Sequence, residues 1–183
     1  ETAIFKERVS VEGEDFDLIT DTLIYNTKST LSTWTTPALI ETDSAQIYSE
    51  KGNYNSTTKY AVLNGNAQYK KDESIATADT ILYDGVTKDI ELKGNAKYTS
   101  KEEIASADKM IRNDSTGITT LIGNAKFDGK SNKAKGEKII FDKKNDAFKF
   151  DGTGTISDST NIITADYLDY NKKTKKGIGV GNV

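Results

Sequence analysis

The chain has 183 residues, a formal net charge of −3 and 29% charged residues of mixed sign, so no concentrated basic surface indicates nucleic-acid binding. It contains neither cysteine nor histidine, which excludes disulfides, thiolate chemistry, a Ser-His-Asp triad and the commonest metal ligand. No apolar run in the sequence is long enough to span a bilayer as a helix.

A strand motif recurs at a fixed spacing along the chain. Gly-Asn-Ala occurs at 65–67, 94–96 and 123–125, and each copy begins 29 residues after the previous one. Around the second copy, residues 90–98 alternate between apolar and polar side chains, which is the period of a half-buried β-strand. Steps of 29 residues in both directions reach the two ends of the sequence. We therefore predict a single elongated domain over 1–183.

A second motif lies between these strands and reads small residue, acid, any residue, aliphatic, any residue, aromatic, Asp or Asn. Its copies lie at 20–26, 49–55, 78–84, 107–113, 136–142 and 165–171. Only Gly52 and Arg112 depart clearly from this pattern. Residues 101–111 have helical spacing, but their repeat partners at 75–84 and 162–171 are rich in Ile, Thr and Tyr, which favours a strand.

Short turn-type segments separate the motifs, as at 85–88, 128–132 and 143–146. Gly, Asn, Asp and Ser suit tight turns, and short turns join antiparallel neighbours because a parallel connection needs a crossover. The sequence therefore predicts an all-β fold, an antiparallel meander of roughly a dozen strands built from a two-strand repeat.

The alternation changes phase within the second motif. Ala76 and Ala78 lie on one face of an extended strand, whereas Ile81 and Tyr83 lie on the other. A bulge or kink at Ala78-Asp79 would let both pairs face inward. If every strand bends at the matching place, the sheet folds over on itself and forms two facing layers.

The inward face is predicted to form an apolar lining through successive repeats. One interpretation is a plain sandwich core. The other is an open groove or tunnel for a long apolar ligand, which the small Gly and Ala residues favour because they leave space between layers about 10 Å apart. The predicted lining residues are Leu63, Tyr69, Ile81, Tyr83, Leu92, Ala96, Tyr98, Met110, Leu121, Ala125, Phe127, Ile139, Phe141, Phe148, Phe150, Ile156 and Leu168.

An acidic residue recurs once in every copy of the second motif: Asp21, Glu50, Asp79, Asp108, Glu137 and Asp166. An active site occurs once, so this row indicates hydrogen bonding at the bend or solvation of the outer face rather than acid–base catalysis. A calcium ladder is a weaker interpretation, because the Gly-Gly-x-Gly-x-Asp spacing is absent. The turn lysines are interpreted as solvated tips, with contact to phosphates or an acidic partner as the alternative. We predict no catalytic residue, no metal and no cofactor.

The two motifs resemble the OstA-like family of lipopolysaccharide transport, which includes LptA, LptC and the periplasmic part of LptD. The resemblance rests on the Gly-Asn-Ala strands at 65–67, 94–96 and 123–125 and on Ala-Asp-x-aliphatic-x-Tyr-Asp at 78–84, echoed at 165–171. It implies a V-shaped twisted β-jelly roll whose interior holds the acyl chains of lipid A, and it implies no enzymatic activity.

The resemblance also implies partners and a location. It implies lipopolysaccharide as ligand, head-to-tail stacking with other Lpt proteins into a bridge to the outer membrane, and the periplasm, with the signal peptide absent from this chain. Both ends fall inside a repeat, as expected for a piece of a longer OstA-like protein. The edge strands near 3–11 and 177–183 are the predicted pairing sites.

Two other functions are weighed against transport. A repetitive β-solenoid or adhesin module would use the same inward residues as a closed core, but it needs parallel coils, which the short turns disfavour. A polysaccharide-cleaving solenoid would use Asp residues, yet no Asp differs from its repeat partners.

Overall fold

The computed structural model of the chain describes residues 1–13, 16–42, 45–113 and 115–183. These ranges contain fifteen β-strands and no helix, and the pairings described below are all antiparallel. The predicted all-β antiparallel fold is confirmed. Residues 103–111 of the segment with helical spacing belong to a strand, as the repeat predicted.

The chain divides into two compact units, unit 1 (Glu1–Leu92) and unit 2 (Lys93–Val183). Each unit is described by itself, and β9 (Asp89–Thr99) spans the division. The sequence-based expectation of one domain over 1–183 stays a prediction.

Unit 1 holds eight further strands. At two places in its sheet, two short strands lie end to end where a single long strand would otherwise run. The strands are β1 (Thr2–Glu12), β2 (Asp17–Asn26), β3 (Leu31–Trp34), β4 (Ala38–Glu41), β5 (Gln46–Ser49), β6 (Lys51–Asn55), β7 (Tyr60–Lys71) and β8 (Ser74–Asp84). On one side β2 pairs with β1, and on the other it pairs with both β3 and β4. Likewise β7 pairs with β5 and β6 on one side and with β8 on the other.

Two strands of the predicted meander are each interrupted and so count as two, which explains why there are more strands than the dozen predicted. Pro37 lies between β3 and β4, and proline has no N–H to donate to a ladder, so pairing stops there. The second break falls at Glu50, between β5 and β6.

Unit 2 is a regular meander in which each strand pairs with the next. Its strands are β10 (Glu103–Asn113), β11 (Ile118–Gly129), β12 (Lys133–Asp142), β13 (Ala147–Ser157), β14 (Ile162–Asn171) and β15 (Lys176–Val180).

The chain reverses direction after each second motif because its last residue closes a local turn. The side-chain Oδ1 of that Asp or Asn accepts a backbone N–H two or three residues later, an arrangement that these short side chains favour. The residues are Asn26, Asn55, Asp84, Asn113, Asp142 and Asn171.

Candidate functional site

The bend in the strands is a bulge at the Gly-Asn pair. In the β7–β8 ladder, Asn64 faces Thr80 and Ala67 faces Ala78, so the two residues Gly65 and Asn66 lie opposite the single Asp79. Two residues against one is the definition of a β-bulge, which bends the strand. Ala76, Ala78 and Ile81 are all buried, as the predicted phase change requires, but the extra residue lies in the partner strand rather than at Ala78-Asp79.

The bulge recurs with the spacing of the repeat. Glycines at 65, 94, 123, 152 and 181 all have positive φ, between 67° and 88°. Residues with a side chain rarely adopt this left-handed backbone conformation, whereas glycine adopts it at little cost in free energy. The register shifts of the unit 2 ladders fall at the same places, between Ile122 and Ala125 on β11 and between Asp151 and Gly154 on β13.

The acidic row holds these bulges from the outside. Asn124 Nδ2 donates to the Asp108 carboxylate at 3.0 and 3.2 Å, and Asn66 and Asn182 donate in the same way to Glu50 and Asp166. Asp108 also lies where a Cβ on Gly123 would stand. These contacts match the structural role that the sequence favoured for the row.

In the part of the chain that the structure describes, no group of three or more acidic side chains is placed to hold a metal ion. The acidic row offers hydrogen-bond acceptors to the bulges.

The bulges fold the sheet of unit 2 into two facing layers. Phe127 pairs with Ala134 on β12, and Phe141 lies seven residues farther along that strand, a separation of roughly 23 Å in a flat sheet. The rings of Phe127 and Phe141 nevertheless have centroids only 4.9 Å apart. The two ends of the strand must therefore face each other across the interior.

Unit 1 is folded over in the same way. Phe16 immediately precedes β2, and Tyr25 lies near the far end of that strand. Tyr25 pairs with Ser32 of β3, which in turn pairs with Tyr54 of β6, so Tyr54 lies at the same end of the sheet as Tyr25. Nine residues along a flat strand would place Phe16 roughly 30 Å from that end. Its ring instead meets Tyr54 edge-on, with centroids 4.9 Å apart.

The predicted lining residues lie in these interiors. All of them are buried except Tyr69 and Tyr83, which are half-buried. Leu63, Tyr69 and Tyr83 come together around a cavity in unit 1, and Phe127, Phe141 and Phe148 around another in unit 2. Burial alone does not separate a ligand groove from a core, so the role of these residues as a lipid lining stays a prediction.

The unit 1 cavity has a volume of about 280 Å³, and most of its lining residues are apolar or aromatic. Its wall includes Ile40, Ile47, Ala61, Leu63 and the aromatic residues Phe16, Tyr54, Tyr69 and Tyr83. Its two charged lining residues are Lys59 and Lys88, both exposed and both in the turns that precede β7 and β9. An apolar chamber beside two cations can hold a molecule with a hydrocarbon part and an anionic part.

The unit 2 cavity, of about 240 Å³, is different in its chemistry. Its apolar wall consists of three phenylalanines, and its charged residues are Glu102, Glu103, Asp146, Lys130, Lys143 and Lys172. These charges largely neutralise one another: Lys130 pairs with Glu102 at 3.0 Å, and Lys172 with Asp146 at 3.5 Å. Lys130 is also the main reason that the pKa of Glu102 lies below its ordinary value.

Sequence reasoning missed Phe16, Tyr54, Lys59 and Lys88 as parts of the unit 1 cavity. A signal existed for the lysines, because they are 29 residues apart and both directly precede a strand of the first motif. Nothing comparable marked Phe16, which approaches the cavity only because the sheet folds over.

The chain was compared with family sequence models, curated proteins and solved structures. The sequence model of the family described as "LptA/(LptD N-terminal domain) LPS transport protein" matches residues 1–118, 86–147 and 112–176. Among solved structures, the chain is similar to LptH from Pseudomonas aeruginosa, described as the LptA homologous periplasmic component of the conserved lipopolysaccharide transport device. The identity is 20% and the TM-score 0.49, over 54% of this chain and 75% of that one. No curated protein matches the chain. None of the described residues forms a helix long and apolar enough to cross a membrane.

Proposed function

The chain belongs to the family of LptA and LptD N-terminal-domain proteins of lipopolysaccharide transport, and we propose that it binds the acyl chains of lipopolysaccharide between the layers of its folded sheet. The family is one of transport proteins, so the chain has a role in lipopolysaccharide transport. Binding of the acyl chains, location in the periplasm and participation in a bridge to the outer membrane are the parts that we propose.

The observation that carries the proposal is the unit 1 cavity. Its volume of about 280 Å³ exceeds the roughly 150 Å³ of an engineered apolar cavity that binds benzene. Each acyl methylene buried there contributes about 0.8 kcal/mol, so partial insertion of one chain suffices for binding. Lys59 and Lys88 beside the cavity suit the phosphates of lipid A.

The proposed bridge would use the edges of the sheet. In the described residues, β1 pairs only with β2, and β15 only with β14. Unpaired edges accept a strand from another molecule. Exposed apolar residues, Ile4 on β1 and Ile178 and Val180 on β15, would add buried area. We propose that these edges pair with other Lpt proteins or with a second copy.

The antiparallel ladders weigh against the β-solenoid or adhesin function, since a solenoid stacks parallel coils. A closed core remains the structural alternative to a groove, and the experiment must separate these two.

Photo-crosslinking to lipopolysaccharide tests the proposal. A photoreactive residue at half-buried Tyr69, which lines the cavity, is expected to crosslink. The matched control is the neighbouring Gln68, which is exposed and points to the opposite face of β7. Equal crosslinking at both positions, or none at Tyr69 in a folded protein, would contradict acyl-chain binding inside unit 1.

A further inference from the structure

The same strand position carries very different side chains in the two units. Ala61 of β7 pairs with Tyr54, and Phe148 of β13 pairs with Phe141. Both pairs join the aromatic residue of the second motif to the first inward residue of the next strand. They are 87 residues apart, which is three repeats. Ala61 and Phe148 are therefore equivalent positions in equivalent ladders.

In unit 2 this position holds a buried aromatic ring. The Phe148 ring is 1% exposed. Its centroid lies 4.7 Å from that of Phe141 and 5.1 Å from that of Phe127, the residue that reaches it from the facing layer. The phenyl ring thus packs between the two layers, and the cavity that remains beside it, of about 240 Å³, is lined by the three phenylalanines and otherwise mainly by polar and charged residues.

In unit 1 the same position leaves the interior open. The methyl group of Ala61 is part of the cavity wall, with Tyr54 and Tyr83 on the neighbouring strands and Tyr69 also lining the cavity. Three repeats earlier, Tyr54 occupies the place of Phe141, and Ile40, which also lines the cavity, occupies the place of Phe127. Relative to unit 2, unit 1 therefore lacks the phenyl rings at positions 61 and 40.

The charge beside the cavity changes at an equivalent position as well. Lys59 and Asp146 stand two residues before Ala61 and Phe148, and both have positive φ, 55° and 52°. Lys59 lines the unit 1 cavity together with Lys88. In unit 2, Asp146 faces Lys172 at 3.5 Å. The equivalent position therefore carries a cation in unit 1 and a carboxylate in unit 2.

We propose that Ala61 is the residue that admits an acyl chain, that the chain enters unit 1 and not unit 2, and that Lys59 and Lys88 bind its anionic headgroup. This inference rests on the proposed function and narrows it to one unit. Unit 2 excludes the acyl chain because Phe148 occupies the volume that Ala61 leaves open in unit 1, and because the cavity that remains beside Phe148 is lined mainly by polar and charged residues. The ligand class is a single-chain or multi-chain lipid with a carboxylate or phosphate head.

The test is titration of the full chain with cis-parinaric acid, a fluorescent fatty acid, followed by displacement with lipopolysaccharide. We expect one fatty-acid site per chain. Ala61→Phe should weaken fatty-acid binding at least tenfold, because the new ring copies Phe148 and fills the cavity. The matched control is Val62→Phe, since the side chain of the next residue points to the outer face of β7; it should bind like the unchanged protein.

A second variant covers the case in which Ala61→Phe does not fold. Ala61→Leu takes up part of the same volume and should weaken binding by a smaller factor, with the near-ultraviolet circular dichroism of the unchanged protein. Unchanged affinity in a folded Ala61→Phe or Ala61→Leu protein overturns the assignment of the site to unit 1. If the unchanged protein binds neither the fatty acid nor lipopolysaccharide, the proposed function fails as well.

The binding of the anionic headgroup by the two lysines is tested with a neutral ligand that has the same hydrocarbon chain. Lys59→Gln combined with Lys88→Gln should weaken binding of the fatty acid several-fold and leave binding of the corresponding fatty alcohol unchanged. Lys70→Gln, at an exposed lysine of the same unit, is the charge control. An equal loss for acid and alcohol, or no loss for the acid, would overturn the headgroup assignment.

Discussion

The two units use one backbone plan with two ways of filling it. Both have the bulges, the Asx-type turns and the fold-over of the sheet. Unit 2 packs stacked phenylalanines beside a cavity of about 240 Å³ with a mainly polar and charged lining, whereas the cavity of about 280 Å³ in unit 1 has mainly apolar and aromatic lining residues beside two lysines. The repeat thus dictates the path of the chain, and a few inward side chains decide the chemistry of the space that remains.

In the deeper interior of unit 1, a larger side chain at one position is matched by a smaller residue at a neighbouring position. Trp34 stands where Leu63 stands one repeat later, and Gly52 where Ile81 stands. The fully buried indole lies against Gly52: a Cβ there would lie 2.5 Å from Trp34 Cζ2. The indole Nε1 donates to Ser49 Oγ at 3.0 Å, so its polar atom is satisfied. Gly52, one of the two departures from the second motif, is thereby explained.

The largest expected effect is on the phenylalanine stack. Phe148→Ala should lower the free energy of unfolding by about 3–5 kcal/mol, because it removes a fully buried ring and leaves a void. Ala61→Phe should change it by less than about 1 kcal/mol, because the ring enters existing space. Urea denaturation followed by far-ultraviolet circular dichroism measures both, and the fluorescence of the single tryptophan, Trp34, reports on unit 1.

Equal losses for the two variants would break the comparison, because they would mean that the interior of unit 1 is as full as that of unit 2. A loss of stability in Ala61→Phe without one in Phe148→Ala would mean that unit 1 is the more tightly packed of the two.

The next effect concerns the exchange between Trp34 and Gly52. Gly52→Ile should cost about 1–3 kcal/mol of stability through overpacking against the indole. Trp34→Leu alone should also destabilise, through the void that it leaves. The double variant restores the Leu–Ile pair of the next repeat. It should lose less free energy of unfolding than the sum of the two single losses. The Val62 carbonyl oxygen also crowds position 52, so part of the loss remains.

A double-mutant cycle in urea, read by circular dichroism because two of the variants lack tryptophan, gives the coupling. We expect the two residues to compensate each other by about 0.5–3 kcal/mol. Strict additivity would show that Gly52 is required by the backbone alone.

The sequence was sufficient to predict the strands, the turns and a bend in each strand, because these depend on local chemistry. The 29-residue spacing fixed the Gly-Asn positions, and period-two alternation identified buried residues such as Leu121 and Phe150. The placement of the extra residue at Gly65-Asn66 rather than at Ala78-Asp79 was missed, since phase along one strand does not reveal which strand of a pair carries the bulge.

The cavity could not be predicted in the same way. Whether an inward position is filled depends on the residue that meets it from the facing layer, as Phe127 meets Phe148, and that contact joins positions far apart along the strands. A comparison of volumes at equivalent repeat positions, Ala61 against Phe148, would have been the available signal.

The smallest expected effect sharpens the comparison of the turns. Asp84 in unit 1 accepts the backbone N–H groups of Thr87 at 3.0 Å and Val86 at 2.8 Å, and these bonds hold its pKa below the ordinary value. In unit 2, the pKa of Asp142 is lowered first by the side chain of Asn145 and then by its backbone N–H. Both carboxylates thus favour the folded state when they are ionised.

Because the folded pKa of Asp84 is depressed, its contribution is complete above the pKa of the unfolded chain, about 4, and is lost as the pH falls through the lower folded value. Asp84→Asn keeps the turn, as Asn55 does one repeat earlier, but cannot titrate. Its stability should therefore fall less steeply than that of the unchanged protein below about pH 4. Urea midpoints between pH 2.5 and 7 measure this, and an identical acid slope in the two proteins would show that the Asp84 turn is already open before its carboxylate takes up a proton.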